Sequence, residues 1–169
     1  MNLQSIPPRL LYAVPALACA GLLGFGYYLQ YFDNQEPCPL CLVQRGFYYG
    51  VIAVFVIAAL HAPKKTGHAV YCAIAAVLAL GGFGVAARQV WLQHLPKDQV
   101  PACGPDLFFM MENFPLRRIF EKLFLGSGQC AEVNWRLLGF SIAEWSLACF
   151  AGLALYALWL GFKIETGRR

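Results

Sequence analysis

Four stretches of the chain are almost continuously apolar, about 10–29, 42–60, 69–87 and 142–162. Nothing else in the sequence restricts the fold as much. A helix rises 1.5 Å per residue, so about 20 residues cross a hydrocarbon layer of ~30 Å with every backbone group bonded inside the helix. A helix of a soluble bundle would carry a polar face, yet Ala69 to Ala87 holds no charged residue on any side. Composition agrees, with 59% of residues hydrophobic and 13% charged, against about 25% charged in soluble domains. The expected fold is all-α, an integral membrane four-helix bundle built as a single membrane domain over residues 1–169. Arg9, the apolar run and Ala18-Cys19-Ala20 imitate a secretory signal. The run continues through Phe25, Tyr27 and Tyr28 into an aromatic belt, so the first span is expected to be retained.

The connections between spans are unequal. A short acidic loop, about 30–41, holds Asp33 and Glu36; a short basic one surrounds Pro63, Lys64 and Lys65; a long one covers about 88–141. Lys and Arg near short connections favour the cytoplasm, and Arg9, Lys64, Lys65, Lys163, Arg168 and Arg169 all fall on one side. Both termini are therefore expected to be cytoplasmic, with the 30–41 and 88–141 loops outside. Within the long loop Leu116, Ile119, Phe120, Leu123 and Phe124 recur at helical spacing opposite Arg117, Arg118, Glu121 and Lys122. Such a helix is too short and too charged to span, and is expected to lie in the lipid interface.

Of seven cysteines, Cys19, Cys72 and Cys149 fall inside apolar spans, where a free cysteine behaves as a small buried hydrophobe. The other four, Cys38, Cys41, Cys103 and Cys130, all fall in the two connections assigned to the outer face. Cys38-Pro39-Leu40-Cys41 is a C-x-x-C where the second span begins. Thiols at a helix N-terminus are redox-prone, because unpaired amides and the helix dipole favour the thiolate. Arg45 lies one turn beyond Cys41 on the same helix face. An arginine just inside a span is costly, and its planar fork can serve a thiolate or a ligand carbonyl oxygen. The bland alternative is an arginine reaching up to headgroups. Cys103 and Cys130 are far apart in a loop rich in Pro and Gly; in an oxidising compartment they are expected to pair as an exposed, exchangeable disulfide, a purely structural bridge being the alternative.

Other chemistries fit poorly. Closed zinc sites show two short-spaced cysteine pairs, so no metal is expected. Covalent haem needs a histidine after C-x-x-C, and Leu42 stands there. Gly82-Phe83-Gly84-Val85-Ala86-Ala87 imitates a dinucleotide fingerprint but lies in an apolar span with no strand before it, where small residues serve close helix packing. His61, His68 and His94 are expected to be solvated or interfacial. A nucleic-acid partner is not expected.

These residues resemble the disulfide bond formation protein B (DsbB) family of bacterial inner-membrane thiol oxidases. The resemblance covers nearly the whole chain: four spans, Cys38-Pro-Leu-Cys41 followed by Gln44-Arg45, Leu92-Gln93 before Pro96, Cys103, and Cys130-Ala-Glu-x-x-Trp135-x-x-Leu138-Gly139 leading to Trp145. It implies a multi-pass inner-membrane enzyme with periplasmic redox loops. Cys103 would be attacked by a periplasmic thioredoxin-like thiol oxidase of the DsbA type, with Cys130 as its disulfide mate. Cys38 and Cys41 would form the second disulfide, with Cys41 and Arg45 beside ubiquinone or menaquinone drawn from the membrane pool. Where some members carry a histidine near the end of the third span, this sequence has Gln89, which could bond a quinone carbonyl or merely pack between helices. The rival reading is a non-enzymatic four-helix membrane assembly module with structural loop disulfides. A quinone reductase like the vitamin K epoxide reductases would show a different cysteine order.

Overall fold

A computed structural model describes residues 8–33, 37–63, 65–96, 98–100, 114, 115, 117, 128–133 and 135–166. Four helices dominate: α1 (Pro8–Phe32), α2 (Pro39–His61), α3 (Lys65–Gln93) and α4 (Ile142–Thr166). All four are long and apolar enough to cross a membrane. The expected four-helix membrane bundle is what the chain forms. Cys103 and the expected interfacial helix at 116–124 lie outside the described residues, except that Arg117 is helical.

Each helix is longer than its apolar run, because a helix continues where polar side chains meet headgroups or protein. The third gains most, reaching Gln93 rather than ending near residue 87. Residues assigned to the long loop, Arg88, Gln89 and Gln93, are thus helical, and Gln89 is buried. The start of α2 is set by Cys38, extended at φ −65 and ψ 160, whose sulfur accepts from Cys41 N at 3.4 Å, with Pro39 at the first helical position, where its missing N–H costs nothing. Its end is set by Ala62 in the left-handed region, whose N–H bonds Ala58 O at 3.0 Å, just before Pro63. Before α4 the chain makes a small antiparallel hairpin, β1 (Arg136–Leu137) and β2 (Phe140–Ser141), which an all-α expectation did not contain. Leu138 and Gly139 both take positive φ, as a tight two-residue hairpin turn requires. Ser141 then opens α4 with a capping box: its hydroxyl accepts from Glu144 N (3.2 Å), and the Glu144 carboxylate accepts from Ser141 N (2.6 Å).

The helices pack in chain order, α1 on α2, α2 on α3 and α3 on α4; Tyr156 of α4 closes the ring by donating to Leu11 O of α1 at 2.8 Å. The bundle interior is lined by small side chains, among them Ala75, Ala76, Ala79, Ala86, Ala154 and Ala157, which let backbones approach. The outward faces are apolar instead, with Val77 68% and Leu155 69% exposed, as surfaces wetted by lipid are. Cys19 and Cys72 are buried as expected, and Cys149 is half-buried.

His68 departs from expectation. It is buried among α1, α3 and α4, where Tyr12 hydroxyl meets Nδ1 and the Leu160 carbonyl accepts at 3.2 Å from Nε2. The reason is register: α3 starts at Lys65, so residue 68 falls on the first turn facing the bundle rather than in the basic loop. His61 and His94 are exposed, as expected.

The glycines confirm a packing role at one position of the Gly82–Ala87 segment and not at another. A side chain at Gly82 would overlap the Phe150 ring of α4, and one at the neighbouring Gly81 would meet Phe47 of α2, whereas Gly84 faces open space. Gly82→Ala is therefore expected to destabilise the protein by about 1–3 kcal/mol through overpacking, and Gly84→Ala to be neutral or stabilising. Melting of both variants in the same detergent checks this; equal melting temperatures would refute it.

Candidate active site

The C-terminal ends of α1 and α3 and the N-terminal ends of α2 and α4 share one end of the bundle, the end that carries the C-x-x-C. Cys38 and Cys41 follow from the start of α2, since three residues across its first turn bring their sulfurs to 2.8 Å. The next turn of α2 adds Gln44 and Arg45. Gln44 is buried and donates from Nε2 to Gln89 Oε1 of α3 at 2.6 Å. Gln89 in turn donates from Nε2 to Cys38 Sγ (3.3 Å) and Cys41 Sγ (3.2 Å). Among the described residues, no buried side-chain nitrogen or oxygen lacks a partner.

Arg45 turns toward α1. Its guanidinium donates to Gln30 Oε1 at 2.6 Å and to Gly26 O at 3.3 Å, and lies 4.5 Å from the centroid of the Tyr27 ring. These contacts hold the fork in one place, and the two bonds engage two of its five N–H groups. The sequence put Arg45 on the Cys41 face but not against α1.

The long loop returns to this end. A short 3-10 turn, Gly128–Cys130, carries Cys130 into a fully buried position in the same apolar cluster as Cys38, Leu40, Val85 and Leu92. Hydrogen bonding with Cys130, then with Cys41, and burial together push the Cys38 thiol well above its usual range. None of Cys38, Cys41 and Cys130 is in a disulfide here. The structure thus brings together five of the six expected site residues, and Cys130, expected to be exposed in a mobile loop, is instead packed against the other pair. Further along the chain, Trp135 meets Phe25 of α1 edge-on with ring centroids 5.6 Å apart, which ties this stretch to the same end of the bundle.

Beside the sulfurs lies an open cleft of about 160 Å³, lined by both cysteines, Arg45, Gln89, the apolar Leu22 and Leu29 of α1, and Ile142 of α4. It has an apolar wall for a flat ring, a fixed N–H donor in Arg45 for a carbonyl oxygen, and a thiol within the same wall. A quinone headgroup fits that donor set. Reasoning from sequence missed Gln44 as a member of the site. Its signal was present, a carboxamide in an apolar span three residues after Cys41 and so on the same face.

Comparison with known proteins gives the family. The family profile described as disulfide bond formation protein DsbB matches residues 8–160. The chain is 50% identical over 151 residues to a disulfide bond formation protein B of Hahella chejuensis, covering 89% of this chain and 90% of the relative. It is 49% identical over 141 residues to one of Nitrosococcus oceani (83% of each chain). With one of Chromobacterium violaceum it shares 48% over 145 residues, 86% of this chain and 87% of the relative. Membership brings with it a general oxidoreductase role in disulfide formation and a multi-pass membrane setting. With a cysteine pair capping one span, a third cysteine packed against it and a family match across nearly the whole chain, the protein belongs to the DsbB family of disulfide bond formation proteins.

Proposed function

We propose that the protein oxidises a periplasmic thioredoxin-like dithiol partner of the DsbA type through Cys103 and Cys130, relays the electrons to Cys38 and Cys41, and delivers them to ubiquinone or menaquinone. The observation that carries this reading is Cys130 buried against Cys38 beside a cleft that also holds Cys41 and Arg45.

The steps are thiol exchange. A partner thiolate bonds to Cys103 and displaces Cys130 from their disulfide as a thiolate. Cys130 bonds to Cys38 Sγ, the Cys38–Cys41 bond breaks, and its electron pair remains on Cys41 Sγ. The partner's second thiol then releases Cys103 and leaves with a disulfide. The freed Cys103 thiolate re-forms its bond to Cys130 and releases Cys38, so that Cys38 and Cys41 together hold the electron pair for the acceptor. A bound quinone supplies a two-electron, two-proton acceptor. Arg45 serves it by fixing a donor toward a carbonyl oxygen, while Leu22, Leu29 and Ile142 keep water from the ring. Cys38, buried in the same cluster as Cys130, is the sulfur of its pair placed for attack by Cys130, and the charge is left on Cys41.

Purified protein in nanodiscs, given a reduced thioredoxin-like donor and a short-chain quinone without oxygen, is expected to reduce one quinone per donor dithiol. Cys41→Ser should abolish quinone reduction. Loss of quinone absorbance at the same rate in Cys41→Ser would defeat the proposal and favour a structural role for the cysteines.

The same reading places this end of the bundle in the periplasm and both termini in the cytoplasm of the bacterial inner membrane. Its support is charge: Arg9 and Lys163 lie toward the opposite end, and the sequence adds Lys64, Lys65, Arg168 and Arg169 there. An impermeant thiol reagent should label a cysteine introduced at Pro105 in intact spheroplasts. Labelling only after lysis would reverse the orientation.

A further inference from the structure

The Gln89 carboxamide has one acceptor and two donors, and all are directed. Its oxygen receives Gln44 Nε2 at 2.6 Å and lies 3.6 Å from the Cys41 thiol. Its nitrogen has two hydrogens, and two sulfurs lie within reach, Cys38 at 3.3 Å and Cys41 at 3.2 Å. Both glutamines are 5% exposed, so water does not compete with these bonds. Turning the Gln89 amide over would set its NH₂ against the NH₂ of Gln44 and its oxygen against sulfur lone pairs. Gln44 therefore decides which end of Gln89 faces the cysteines.

We infer that Gln89 is the hydrogen-bond donor that receives the Cys41 sulfur as it leaves Cys38, and that Gln44 is the positioning residue that keeps Gln89 turned toward it. This rests on the thiol relay proposed above. In that step the Cys130–Cys38 bond forms, the Cys38–Cys41 bond breaks, and the electron pair and its negative charge settle on Cys41 Sγ. No proton needs to move. A neutral N–H to sulfur contact is weak, but it strengthens as the sulfur becomes an anion, as charge-assisted hydrogen bonds do. The same amide's second N–H steadies Cys38, the sulfur under attack. An uncharged amide suits this place, since a second cation beside Arg45 would itself need burial. Gln89 thereby acts on the sulfur pair, and recognition of a ligand carbonyl is left to Arg45.

The test needs no acceptor at the moment of measurement. In Cys103→Ser protein, Cys130 has no loop mate. After oxidation and removal of quinone, the Cys38–Cys41 and Cys38–Cys130 bonds are expected to exchange to equilibrium. Acid quenching, alkylation and peptide mass spectrometry give their ratio. Gln89→Met is expected to shift that ratio about tenfold away from Cys38–Cys130, the loss of one hydrogen bond to a charged group. Gln44→Met should shift it in the same direction and by less, and Gln89→His, which keeps a ring N–H, should restore part of it. An unchanged ratio in folded Gln89→Met protein would overturn the inference, and slower quinone reduction in that protein would then assign Gln89 to the acceptor. A complete absence of Cys38–Cys130 even with both glutamines intact would instead refute the relay on which the inference stands.

Discussion

Arg45→Met is expected to slow quinone reduction about a hundredfold while leaving exchange with the dithiol donor within a few-fold of normal. The size follows from losing one fixed donor aimed at a developing oxyanion, on the order of 3 kcal/mol. The selectivity follows from place. Arg45 is held by Gln30, Gly26 and Tyr27 of α1, on the cleft side of α2, whereas Cys130 packs with Cys38, Leu92 and Val85. A donor fixed before the ligand arrives costs no reorganisation during reaction, which is why a flexible charge is a poorer substitute. Arg45→Lys should accordingly recover only part of the rate, keeping the charge but not the planar fork. Stopped-flow quinone absorbance beside gel-resolved donor oxidation separates the steps. Equal slowing of both would reduce Arg45 to an anchor between α1 and α2.

Cys130→Ser is expected to stop turnover entirely, because the donor finds no Cys103–Cys130 disulfide to open, and to hold an oxidised donor on Cys103 in a mixed disulfide that Cys130 can no longer release. Two losses combine. The thiol that Cys103 should release is gone, and so is the only described cysteine packed against Cys38 from outside α2. Serine is close in size, so the buried site should survive. Non-reducing gels of the variant with oxidised donor, whose disulfide the Cys103 thiolate opens, measure the adduct. Accumulation of the same adduct in Cys103→Ser instead would exchange the two roles.

The four spans were legible because lipid demands an apolar surface on every side of a helix, a pattern that survives without any knowledge of packing. Helix ends were less so. Arg88 to Gln93 read as loop from their polarity, yet Gln89 finds partners in Gln44 and the two sulfurs, and Gln93 accepts from Ser141 at 2.8 Å. Tertiary hydrogen bonds keep such residues helical, and no local rule contains them. His68 failed for the same reason, its partners Tyr12 and Leu160 lying far away in the chain. The hairpin before α4 was hidden too, because a two-residue strand is too short to show a period. At the site, Cys38, Cys41 and Arg45 could be grouped because one helix turn spaces them, a local fact. The approach of Cys130 to Cys38 could not, since it depends on how a long loop folds back over the bundle end. Gln44 lay between these cases, on the correct face but without a visible partner.

The most direct test of the relay is a single turnover of the wild-type protein with reduced donor and quinone, quenched in acid at successive times and mapped for every cysteine bond. A Cys38–Cys130 disulfide should rise as donor is consumed and fall as the quinone is reduced. If only Cys103–Cys130 and Cys38–Cys41 are ever found while quinone is reduced at full rate, electrons do not pass through the contact between Cys130 and Cys38.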